Sequence, residues 1–133
     1  MKDNISYVFE TKDVLGNDVK LKSNTWEYHV IGEHEERHHF KGNETFFKQV
    51  IEEPDYIYEQ SAPSGKSRYN YLAFDNINDQ GNPKIYSVIA EENENHRDIV
   101  TIMERSSTKL KVEERKKEAK IYDRRSKNKG ELR

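Results

Sequence analysis

Residues 68–103 read RYNYLAFDNINDQGNPKIYSVIAEENENHRDIVTIM. Three runs rich in β-branched and aromatic residues, Arg68 to Phe74, Ile85 to Ala90 and Ile99 to Met103, are parted by stretches of Asn, Asp, Gly and Pro that favour turns. Upstream, Tyr56 to Tyr58 precedes the turn-rich SAPSGK and reads as one more strand. Short connections of this kind join antiparallel neighbours, so the stretch predicts a meander of about four strands.

Towards the N-terminus the period changes from two to between three and four. In NETFFKQVIEEPD, Phe46, Phe47, Val50 and Ile51 form one helical stripe, Asn43 is placed to cap it, and Pro54 ends it. Before it, Ser23 and Asn24 are N-cap residues for a helix that buries Trp26 and Val30, with His29 three residues after Trp26 and near the same face. Ile5 to Thr11 and Val19 to Leu21, parted by Leu15-Gly16-Asn17-Asp18, read as a hairpin or a pair of short strands. Towards the C-terminus, Ser107 to Arg125 carries Leu110, Val112, Ala119, Ile121 and Tyr122 among charges and reads as a weakly amphipathic helix, followed by a frayed tail. The expected fold class is therefore α+β: an N-terminal hairpin and two helices packed on an antiparallel sheet of about four strands, with a C-terminal helix. The domain division expected is 1–106 for the folded body and 107–133 for the basic helix and tail.

Composition bounds the function. Only 32% of the 133 residues are apolar and 36% are charged, so the core is modest, but 14 aromatics supply large buried areas. No apolar run approaches the roughly 18 residues that span a bilayer, and no signal-peptide core is present, so a cytoplasmic protein without membrane contact is expected. The absence of cysteine excludes thiolate metal sites and cysteine nucleophiles. From Glu104 onwards there are 12 Lys/Arg against 6 Asp/Glu, a balance of +6, while the first 103 residues carry 11 against 19, a balance of -8. A basic end beside an acidic body suits a polyanion, the protein's own acidic body, or no more than a charged, solvated helix.

Four of the five histidines lie in HVIGEHEERHHF, residues 29–40, which contains the zinc-hydrolase pattern H-E-x-x-H at His34, Glu35 and His38. Two histidines four apart on a helix can hold zinc while the glutamate activates water. Here the flanking charges leave almost no apolar face to seat such a helix, and no H-x-x-G-x-x-H follows to add a third ligand. Solvated histidines on a charged turn are the plainer reading of His38 and His39.

Taken in order, the residues Asp13 to Leu21 (DVLGNDVKL), Trp26-x-x-His29-Val30, His34-x-Glu36, Glu53-Pro54-Asp55, an Arg-Tyr strand and Ile99-Val100-Thr101 resemble the phage-associated branch of the barnase-EndoU-colicin-RelE (BECR) nucleases. The resemblance spans roughly Phe9 to Arg105. Members carry D-x-x-G-x-x-V-x-L, W-x-x-H-I, H-P-E, N-P-D and a late I-T-A-Y. This chain departs from them with Glu35 at the proline of H-P-E, and with Ile102-Met103 after Thr101 in place of Ala-Tyr. The resemblance implies a metal-independent endoribonuclease, or a ribonuclease-like toxin of phage, prophage or other mobile-element origin. It implies no cofactor, RNA as partner, and a cognate antitoxin or immunity protein as a candidate second partner.

Cutting RNA without metal needs a base for the 2′-hydroxyl, an acid for the leaving 5′-oxygen, and donors for the phosphorane. Histidine suits the proton transfers and arginine the phosphate. The resemblance carries the acid–base roles onto His29 and His34. Arg68 is the phosphate candidate and Thr101 a donor to it. Tyr69 and Tyr71, two apart on one strand face, are candidates for base stacking, and Arg105 for a further phosphate. Each has a plain structural reading: His29 packed beside Trp26, His34 as a cation at a helix C-terminus, Arg68 on a solvated edge, Thr101 as a β-former, and the tyrosines covering the core. His96, in the EENENHRD turn, is expected to be exposed. Two other functions compete, a catalytically inactive BECR-like protein that binds RNA or a protein partner, and a zinc hydrolase built on HEERH.

Overall fold

The expected meander is present within a wider sheet. A computed structural model of the chain describes residues 5–32, 40–75, 84–105 and 119–124. Its strands are β1 (Tyr7–Lys12), β2 (Asp18–Lys22), β3 (Tyr56–Ser61), β4 (Ser67–Asp75), β5 (Lys84–Asn93), β6 (His96–Arg105) and β7 (Ala119–Asp123). A helical segment, Thr25–Gly32, follows β2, and the helix α1, Glu44–Glu52, precedes β3. The seven strands form one sheet in the order β1-β2-β6-β5-β4-β3-β7. Neighbours run antiparallel except β2 and β6, which pair in parallel at Val19 with Arg97 and Lys20 with Asp98.

The fold class is α+β, and two particulars of the expectation change. The sheet has seven strands rather than about four, because the N-terminal hairpin joins β6 and a further strand is added beside β3. That strand, Ala119–Asp123, occupies part of the span expected to be helical, while 107–118 and the tail lie outside the described residues. Edge pairing decides here against local propensity: Tyr122 pairs with Ile57 and packs half-buried on the core, and the Lys120 ammonium lies 4.4 Å from the Tyr56 ring centroid. Short segments take the conformation their neighbours stabilise.

Side chains alternate along each strand and so divide between two faces. The helix face carries Val19, Leu21, Tyr69, Tyr71, Val88, Ala90, Ile99 and Ile102 against Trp26, Val30 and Ile31 of the first helical segment, Phe40, and Phe47, Val50 and Ile51 of α1. Phe47 is its centre, with its ring centroid 4.9 Å from Phe40 and 6.0 Å from Trp26. The far face carries a smaller cluster of Tyr58, Leu72 and Ile85 flanked by Tyr56 and Phe74. Asn43 precedes α1 as expected, although its side chain makes no capping bond.

Thr25–Gly32 is a π-helix rather than an α-helix. Its i→i+5 bonding puts more residues in each turn. Trp26, Val30 and Ile31, four and five apart, thereby fall on one stripe, and all are buried. A Cβ added to Gly32 would stand 2.5 Å from the Glu27 carbonyl oxygen, so only glycine closes this wide turn without displacement. The three-residue step from Trp26 to His29 turns through a smaller angle than in an α-helix, which moves the His29 backbone away from the buried stripe instead of near the same face.

Candidate functional site

Polar residues line up across the far face. Glu10 pairs with Lys20, Lys20 with Asp98, Asp98 with Glu91, Glu91 with Arg68, and Arg68 with Gln60, which makes one row over six strands. Directly paired residues point the same way, and Arg68 alternates with the core-facing Tyr69, so the row projects away from the helices. Two carboxylates meet at its centre. Like charges directly opposite are unfavourable, and each has its own partner: Arg68 Nε donates to Glu91 Oε1 at 2.9 Å, while Asp98 Oδ1 lies 3.1 Å from His96 Nε2 and Asp98 Oδ2 accepts from Asn93 Nδ2 at 2.8 Å.

A cleft of about 420 Å³ takes in the centre of this row, lined among others by Lys22, Thr25, Lys66, Glu91 and Asp98. Val100 also lines it and is the extra residue of a β-bulge, since Ile89 pairs with Thr101 and Ala90 with Ile99. Bulges bend a strand and re-aim its side chains, and they recur beside active sites. Thr101 stands one row from Arg68 on the same face, because Ile89 links it to Asn70.

Of the four residues expected to be catalytic, the structure therefore brings Arg68 and Thr101 to neighbouring rows of one face. His29 belongs to the π-helix by its backbone, but its side chain lies outside what is described, and so do His34 and the whole HEERH stretch. Arg105 closes β6, and its side chain too lies outside. Among the described residues no group of three or more His, Asp or Glu could hold a metal ion.

The tyrosines lie on the helix face instead. Tyr71 is wholly buried, and Tyr69 is 7% exposed with the Arg97 guanidinium stacked 3.4 Å above its ring centroid. As packed, neither presents a free ring face to a base. The Tyr71 hydroxyl donates to Asp13 Oδ2 at 2.6 Å, and Arg97 Nη1 reaches both Tyr71 Oη (2.9 Å) and Asp13 Oδ2 (3.1 Å). Burial, and next the bond to Asp13, push the Tyr71 hydroxyl well above the usual tyrosine range. Asp13 Oδ1 accepts from the backbone amides of Leu15 and Asn17, at 2.9 and 2.8 Å, and so shapes the β1–β2 turn, in which Gly16 has φ +91°.

DVLGNDVKL thus has a structural meaning for each of its marked residues: Asp13 ties the turn to the sheet, Gly16 supplies the left-handed backbone, and Val19 and Leu21 are fully buried. Asp55 acts in the same way after Pro54, accepting the Phe74 amide at 2.9 Å. The residues sequence reasoning passed over are Glu91, His96, Asp98 and the Asp13–Arg97 pair. His96, expected to be exposed, keeps only 17% of its side-chain surface and is joined to Asp98. Glu91 lies just beyond the run read as a strand, Ile85 to Ala90, which in the structure continues to Asn93, and nothing local tells which strand lies beside it.

No family model, no curated protein and no solved structure matches this chain. No helix among the described residues is long and apolar enough to cross a membrane.

Proposed function

We propose that the chain is a metal-independent endoribonuclease of BECR type, acting on cellular RNA as a phage or mobile-element toxin would. In this reading His29 and His34 move protons, and Arg68 and Thr101 contact the scissile phosphate. The observation that carries it is that Arg68 and Thr101 stand in neighbouring rows of one sheet face, beside a cleft lined by the Arg68 partner Glu91 and by Thr25, the first residue of the π-helix that carries His29. Helical segments followed by an antiparallel meander are also the order the resemblance implies. The test is incubation of the purified protein with total cellular RNA in EDTA beside His29→Ala. Cutting by the wild type, reduced about 100-fold or more in the variant, is the expected result; cutting that survives the substitution removes His29 from the site.

Two observations favour a second reading, in which the chain binds RNA or a protein partner without cutting. The Arg68 guanidinium is already held by Glu91, and Ile102-Met103 offer no hydroxyl after Thr101. RNA retained but intact in the same assay would select it. The zinc-hydrolase reading rests on residues outside those described, and metal content of the purified protein decides it.

A further inference from the structure

Single-stranded RNA is gripped by its bases as well as its phosphates, most often on aromatic rings. The packing of Tyr69 and Tyr71 on the helix face removes the two rings expected to do this. Elsewhere the protein leaves a ring open. Among the described residues the two most exposed large apolar side chains are Tyr28, at 64%, and Ile5, at 53%. Both line one groove of about 600 Å³, between the residues before β1 and the π-helix. Tyr28 stands off the buried stripe of Trp26, Val30 and Ile31, so packing of the helix gives no reason for an aromatic side chain there. Exposed apolar side chains scattered singly are ordinary, but two that share a groove mark a binding surface.

The surroundings fit a nucleobase. Ser23, Asn24 and Glu27 line the same groove, and their hydroxyl, amide and carboxylate offer the donors and acceptors that match the edge of an unpaired base. Lys22 lines this groove and also the cleft that contains Glu91 and Asp98, so the two are neighbours with a cation at their junction. That charge favours a polyanionic strand over an apolar peptide. We infer that Tyr28 is the stacking platform of a nucleobase subsite for single-stranded RNA, with Ser23 and Asn24 at the base edge and Lys22 on the backbone. This specificity role rests on RNA being the ligand, as in the ribonuclease reading above. A strand whose phosphate lies in the cleft passes Lys22 with its backbone and reaches Tyr28 with a base.

A 2′-O-methyl oligoribonucleotide cannot be cut by 2′-hydroxyl attack and serves as the probe. Its binding, single-stranded and fluorescently labelled, is measured by anisotropy in EDTA for the wild type, Tyr28→Ala and Tyr28→Phe, with melting curves to establish folding. The expected result is binding weakened about 10-fold or more in Tyr28→Ala and largely recovered in Tyr28→Phe, which keeps the ring. A folded Tyr28→Ala that binds as the wild type does overturns the subsite and leaves the ribonuclease reading standing. Equal weakening in both variants overturns the stacking role, since it assigns the effect to the hydroxyl. Wild-type protein that cuts cellular RNA but does not bind the probe overturns the subsite alone, and wild-type protein that does neither overturns the reading and the subsite with it. Should Tyr28→Ala not fold, Tyr28→Leu takes its place, since it keeps apolar bulk without a ring; wild-type binding there overturns the subsite as well.

Discussion

Asp13 is the side chain on which most depends for its size. Its carboxylate is fully buried and meets two backbone amides, a tyrosine hydroxyl and a guanidinium whose side chain is itself 12% exposed. Removing one partner of a buried pair strands the other, so Asp13→Ala is expected to cost about 3–5 kcal/mol in denaturant unfolding. A loss under 1 kcal/mol would mean that Arg97 finds other partners. At Gly32 the reason is steric, since an added Cβ meets the Glu27 carbonyl oxygen at 2.5 Å. Gly32→Ala should lower stability by roughly 1–3 kcal/mol, and an unchanged melting temperature would show that the π-turn can relax into another helix type. The glycine and the aspartate are both visible in the sequence, but the contacts that make them necessary join residues five and 84 positions apart.

Within α1, two adjacent phenylalanines have opposite roles. Phe47 is 1% exposed at the centre of the core and Phe46 is 36% exposed, its ring resting on Tyr86 at 5.1 Å. Phe47→Ala should cost about 3–5 kcal/mol through lost burial and a cavity. Phe46→Ala should cost clearly less, and equal losses by thermal or urea melts would contradict this division. The stripe was legible because helical periodicity survives in any sequence that buries one face. Both the π-helix and β7 were not. A wider turn leaves the same inward residues four apart as an α-helix does, and five residues, Ala119 to Asp123, carry too little pattern to oppose a helical reading until β3 is beside them.

Across the whole molecule, the hairpin is held to the meander by one short parallel pairing and by the Asp13–Tyr71–Arg97 network. This couples its stability to alkaline pH. The folded protein keeps the Tyr71 proton that the unfolded chain releases near pH 10, so the contribution is whole below about pH 10 and is lost as pH rises towards the higher folded value. The loss follows a slope of about 1.4 kcal/mol per pH unit from this group. Tyr71→Phe, less stable near neutrality by about 1.5–3 kcal/mol, should therefore approach the wild type as pH climbs from about 9 to 11. A gap in melting free energy that stays constant over that range would detach Tyr71 from the effect.

Local pattern sufficed for the α+β class, the meander, the α1 stripe and the β1–β2 turn, because period, turn chemistry and helix stops act between residues close in the chain. Arg68 and Thr101 came forward through the resemblance together with their residue types, not through local pattern. What only the tertiary structure decided is who stands beside whom: the parallel joint between β2 and β6, the edge strand β7, the removal of Tyr69 and Tyr71 to the helix face, and the row that sets Arg68 against Glu91 and Asp98. Strand order and register are set by contacts between distant segments, and no spacing along the chain records them.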